Sequence, residues 1–200
     1  MLDEQELERF VIDDRTQGIF RVKRSSMTLE DVWAHEREGI FDRCWLYVGH
    51  ASEIDQPGDY VRRKVAGRPL VFVRGRDGAV RALYNSCTHR GARVCRQDSG
   101  NAKSFQCFYH AWTFSTEGQL VGIPDREGYA EAVDPAALRL RHVPRLESYR
   151  DFWFVCFDHD VEPLSDFLAG AKEYIDLVAD QARDGMRVLP GSRRRQTDSR

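Results

Sequence analysis

Long apolar runs are absent from this 200-residue chain: nowhere do eighteen apolar residues follow one another, so no segment reads as a membrane-spanning helix. The start lacks the basic-then-apolar profile of a secretory leader, because MLDEQELERF places four acidic residues among its first eight. An excess of one charge is missing too. Thirty Lys and Arg stand against 32 Asp and Glu, a formal charge of −2, and no global field recruits nucleic acid or an anionic membrane. The five cysteines are an odd number without the spacing of a disulfide framework. These absences point to a soluble, cytoplasmic protein.

What is present is enough for a core: 42% hydrophobic and 11% aromatic residues in a length that suits one domain, or one plus part of another. Two short strings carry the chemistry. Cys87-Thr88-His89 reads C-x-H, and Cys107-Phe108-Tyr109-His110, after 17 intervening residues, reads C-x-x-H. A [2Fe–2S] cluster normally takes four thiolates, and in a Rieske centre two histidines replace two of them on one iron. The one- and two-residue gaps let each thiol and imidazole leave a single tight turn, so two loops can close over one cluster. Gly91 follows the first loop, where a residue without Cβ lets backbone N–H groups come close. Trp112, two residues past His110, is placed to shield the site from water and so tune its potential. Structural zinc is the alternative for two Cys and two His, but such sites usually show C-x₂₋₄-C before H-x₃₋₅-H. Cys44 and Cys156, inside RCWLYV and FVCFD, read as buried core thiols, and Cys95 has no evident partner.

The strings CTHRG and CFYHAWTFSTEG resemble the Rieske segment of bacterial aromatic-ring-hydroxylating dioxygenase large (alpha) subunits. The resemblance runs from about Thr28 to Gly191. It implies that Cys87 and Cys107 bind one iron of a single [2Fe–2S] cluster and His89 and His110 the other. It also implies electrons from a ferredoxin or reductase, and onward transfer to a mononuclear iron in a larger C-terminal domain, with other oxygenase subunits as possible partners. Respiratory Rieske proteins, similar in their ligands, carry an extra loop cysteine in each string. Ala92 and Tyr109 stand at those positions here, which favours the oxygenase type.

Along the chain, residues 1–27 read as an extended polar arm. Thr28 with Asp31 reads as a capping box for a helix that carries Leu29, Val32, Trp33, Ile40 and Phe41. Short β segments follow: WLYVGH, DYVRRKV, PLVFVRG and VRALYN, the last two joined by a turn at Arg76-Asp77-Gly78. WTFS and LVGI flank a turn at Glu117-Gly118, and LRLRHVPRL and DFWFVCFD complete the series. Pro163 opens one amphipathic helix with Leu164, Phe167, Leu168, Ala171, Tyr174, Ile175 and Val178 on a face, ended by Gly185. The fold expected is mainly β, an antiparallel Rieske iron–sulfur fold with flanking helices. Residues 1–41 form the arm and helix, 42–158 the Rieske domain, and 159–200 a helical remnant of an α+β catalytic domain with a divergent tail.

Past His110 the histidines are His142 and His159, and neither has a second histidine at helical spacing. No facial triad of two His and a carboxylate is therefore expected within these residues. The mononuclear iron belongs to the part of the family's subunit that the chain does not reach, and no ring dioxygenation is expected of the chain alone. A stand-alone Rieske-type ferredoxin and a zinc-stabilised interaction module are the other readings. The amphipathic segments on both sides of the β region favour the oxygenase subunit.

Overall fold

A computed structural model of the chain describes residues 6, 8–124, 126–128 and 134–189. The strands in chain order are β1 (Val11–Asp14), β2 (Ile19–Val22), β3 (Leu46–His50), β4 (Asp59–Val65), β5 (Arg68–Arg74) and β6 (Val80–Tyr84). They continue with β7 (Ser99–Asn101), β8 (Ser104–Gln106), β9 (Thr113–Ser115), β10 (Leu120–Gly122), β11 (Arg145–Tyr149) and β12 (Phe152–Cys156). Helices α1 (Glu30–Glu36), α2 (Leu164–Leu168) and α3 (Ala171–Ala179) flank them.

The architecture follows from β5. Its Leu70–Val73 run is apolar without a break, as suits a strand covered on both faces, and it lies in the middle of the antiparallel sheet β6-β5-β4-β7. Side chains alternate across a strand, so β5 feeds two cores. Leu70 and Phe72 join Val48, Ile54, Val61 and Val155 on one face, beneath the sheet β11-β12-β3. Val71 and Val73 join Tyr60, Leu83, Phe105 and Phe114 on the other, beneath the sheet β10-β9-β8. Neighbouring Tyr60 and Val61 of β4 divide in the same way. That second core also contains Cys87, Cys107 and Trp112, so the small sheet and its loops are seated by ordinary apolar burial.

The expected strands form at β3, β4, β5, β6, β9, β10 and β12. Five local expectations need correction. Residues 11–22 are a hairpin, not an extended arm: the Asp14 carboxylate accepts from the N–H groups of Thr16 and Gln17, and Gly18 closes the turn. The Thr28 hydroxyl donates back to the Ser25 carbonyl, so Leu29 becomes the α1 N-cap and the capping box does not form. α1 also ends early and widens into a π turn at Arg37–Phe41, where Gly39 weakens the helix and the Asp42 N–H bonds the Arg37 carbonyl.

The stretch 138–146 becomes a strand only from Arg145, because Pro144 has no N–H for the ladder; ahead of it lies a single bridge, Leu83 to His142. The helix expected from Pro163 breaks in two at Ala169, whose φ is +41°, and Gly170. α2 is held by Leu164 against Trp45 and Cys156, whereas Tyr174, Leu177 and Val178 of α3 remain exposed. Two strands, β7 and β8, had no sequence signal: SGN and SFQ are too short and polar to show a period.

Candidate metal centre

Two loops reach from the second core towards the surface. The first leaves β6 and carries Cys87 and His89; the second joins β8 to β9 and carries Cys107 and His110. Their backbones repeat one pattern. The Cys87 N–H donates to the Ala92 carbonyl (2.8 Å) and the Cys87 carbonyl accepts from the Gly91 N–H (2.8 Å). The Cys107 N–H donates to the Trp112 carbonyl (2.8 Å) and the Cys107 carbonyl accepts from the Ala111 N–H (2.9 Å). Each closure needs a residue with positive φ at the same place, Gly91 at +73° and Ala111 at +54°.

This mirrored geometry brings the four expected residues into two pairs, one of thiols and one of imidazoles. The two thiols are buried and lie within hydrogen-bonding reach of each other. The His89 and His110 rings meet edge to face with centroids 4.7 Å apart, nearer the surface. Trp112, 3% exposed, lies flat against His89 at 4.7 Å and 10°, in the place expected of a shield. Phe108 and Tyr109 are exposed and stacked on each other, and the Arg96 guanidinium covers Phe108 at 4.8 Å.

Electrostatics distinguish the donors. Burial pushes the Cys87 thiol up, with Cys107 beside it adding to the effect, so the uncharged form is favoured until a cation arrives. Desolvation, then the neighbouring His110 and Arg90, holds the His89 imidazole below its usual range, in the neutral form that binds metals. The Nδ1 atom of His110 is buried without a hydrogen-bond partner. A buried ring nitrogen left without a partner is costly, and a metal is a partner that fits it beside the second imidazole of His89. The donor set is soft sulfur plus imidazole, which suits iron–sulfur chemistry. Among the described residues no three or more of His, Cys, Asp and Glu surround a single point. The donors stand instead as a thiol pair and an imidazole pair.

Three contributors had no clear sequence signal. Asn85 is buried and bonds the backbone of Val94 and Cys95; the Thr88 hydroxyl donates to the Leu138 carbonyl at 2.5 Å; and Ala111 adopts a glycine-like conformation. Cys95, left unassigned by its sequence, is buried in the same core as Cys87 and Cys107. Cys156 is buried as expected, while Cys44 is only half-buried. His142 is turned away to the Glu117 carbonyl at 3.1 Å, and the His159 carbonyl accepts from Arg145.

Comparison with known proteins gives the family. The family model described as the Rieske [2Fe–2S] domain matches residues 44–149. The alpha subunit of toluate 1,2-dioxygenase from Pseudomonas putida is 37% identical over 189 residues, 93% of this chain and 42% of that subunit. Among solved structures, naphthalene 1,2-dioxygenase from Rhodococcus sp. bound to indole matches with a TM-score of 0.79 at 36% identity, over 84% of this chain and 38% of that one. The apo form of a quaternary ammonium Rieske monooxygenase matches with a TM-score of 0.70 at 35% identity, over 78% of this chain and 45% of that one. The chain spans about two-fifths of the length of the curated relatives it matches.

Proposed function

The chain belongs to the Rieske [2Fe–2S] domain family, and from that premise we propose that Cys87, His89, Cys107 and His110 hold its cluster for one-electron transfer. The chain is homologous to the N-terminal part of aromatic-ring-hydroxylating dioxygenase alpha subunits. We take it to serve there, receiving electrons from a ferredoxin or reductase and delivering them to an iron that activates O₂ beside an arene. When bound, a [2Fe–2S] group supplies a one-electron store, at a potential raised by two neutral imidazole ligands.

The chain's own residues do the rest. Cys87 and Cys107 supply thiolates from the buried side, each fixed by two backbone hydrogen bonds in its own loop. His89 and His110 supply ring nitrogens from the outer side, and His110 Nδ1 has no competing hydrogen-bond partner. Trp112 excludes water from one face of His89. Thr88 ties the first loop to the turn that carries Leu138, which limits its drift. In this reading the cluster domain covers 42–158, from just ahead of β3 to just past β12, with 1–41 and 159–200 as its flanks.

The observation that carries the proposal is the mirrored pair of loops, each presenting one thiol and one imidazole with a glycine-like residue at the same place. Its test is the metal and sulfide content of the purified chain beside His89→Ala and His110→Ala. The native chain is expected to hold two irons and two sulfides, the number a [2Fe–2S] cluster contains, and each variant to lose or rearrange them. Tight binding of one zinc without sulfide would overturn the proposal.

A further inference from the structure

The two ligand loops differ in what closes them at the base. Behind the second, β8 and β9 pair through Phe105–Phe114 and Gln106–Thr113, and a ladder holds Cys107 close to Trp112. Behind the first there is no ladder. β6 ends at Tyr84, and the returning chain at residues 94 and 95 is irregular.

Asn85 fills that place. Its side chain is 1% exposed; Nδ2 donates to the Cys95 carbonyl at 2.8 Å, while Oδ1 accepts from the N–H groups of Cys95 at 2.8 Å and Val94 at 3.0 Å. A donor and an acceptor exchanged with one residue is what an antiparallel strand partner offers. Here a side-chain amide offers both. The amide is itself anchored, because the Asn85 N–H donates to the Pro69 carbonyl of β5 at 2.9 Å. The ring it closes contains Cys87, His89 and Gly91.

We infer that Asn85 is the positioning residue of the first ligand loop: its amide stands in for the missing strand and sets where Cys87 and His89 stand relative to Cys107 and His110. The inference rests on the cluster reading above. It predicts an uneven effect when the amide is lost. The first loop loosens, the second keeps its ladder, and the two halves of the donor set move out of register.

The experiment compares the full chain with Asn85→Ala and with Asn85→Leu, which fills the volume without the hydrogen bonds. Thr116→Val, which removes a buried hydroxyl from the β9–β10 turn, is the control. Three quantities are read: iron release to a chelator, the g-values of the reduced protein, and amide hydrogen exchange with and without metal. Both Asn85 variants are expected to release iron about 10–100-fold faster, the usual consequence of losing a residue that orients a metal ligand. Their g-values shift, and the Cys87, Gly91 and Cys95 amides exchange about tenfold faster or more. The Ala111 amide and the β4–β5 ladder stay protected, and the control behaves as the native chain. Unchanged g-values and unchanged exchange in the first loop would overturn the inference. So would loss of protection across β4 and β5 in both variants, since Asn85 would then brace the whole fold. A native chain without iron and sulfide would overturn the cluster reading instead, while exchange in the metal-free chain still decides the role of Asn85.

Discussion

Gly91 and Ala111 occupy equivalent places in the two ligand loops, at φ of +73° and +54°, yet only the first is a glycine. A side chain in the left-handed region costs about 1–2 kcal/mol. Gly91→Ala is therefore expected to destabilise the chain by about that amount, and through backbone strain alone, because the nearest atom to an added Cβ is Ser86 Oγ at 3.9 Å. Ala111→Gly is expected to stabilise by about 1 kcal/mol, as relief of that strain outweighs the extra freedom of glycine in the unfolded chain. Urea unfolding of both variants checks the pair; a stabilising Gly91→Ala would show that the loop does not keep its turn. At this scale the four proposed ligands were legible, since candidate ligation is written in residue type and spacing. Asn85 and Ala111 were not. A lone Asn or Ala names neither the carbonyl it will meet nor the sign of its φ.

Among the elements, the β5–β6 hairpin has the clearest electrostatic lock. Arg81 donates to both Asp77 carboxylate oxygens at 2.7 and 2.6 Å, and this bond, with help from the Ala79 N–H, lowers the Asp77 pKa to about 2. A carboxylate with a depressed folded pKa contributes stability that is full above its unfolded value and is lost as pH falls towards the folded one. For Asp77 that window runs from about 4 down to about 2. Carboxyl NMR titration is expected to give a midpoint near 2 in the native chain, rising towards the ordinary value of 3.8 in Arg81→Ala, where the Ala79 N–H still holds it below that value. A native midpoint already at the ordinary value would contradict the lock. The hairpin was readable because Asp77-Gly78 is a turn signal between apolar runs, and β5 because burial on both faces leaves an unbroken run. β7 and β8 were not readable, being held by tertiary pairing with β4 and β9 rather than by their own pattern. The break between α2 and α3 escaped for a related reason: the apolar stripe continues across Gly170, and only the backbone turn at Ala169 ends it.

For the whole molecule, a two-faced sheet separates one core from a second core that seats the two loops of the candidate site. Ala92 and Tyr109 occupy the positions where respiratory relatives by resemblance carry loop cysteines, so no disulfide joins these two loops. The reduction potential is accordingly expected towards the low end of the roughly −150 to +300 mV Rieske range. Voltammetry decides this, and a value near the top would contradict the oxygenase-type reading. Two thiols and two imidazoles on mirrored loops are proposed to hold one two-iron cluster. The most direct test is quantitative iron and acid-labile sulfide analysis of the chain, with EPR of the dithionite-reduced protein. Two irons and two sulfides per chain are expected, the content of one [2Fe–2S] cluster, with the spectrum of mixed cysteine and histidine ligation. A colourless, EPR-silent chain holding a single zinc and no sulfide would contradict it.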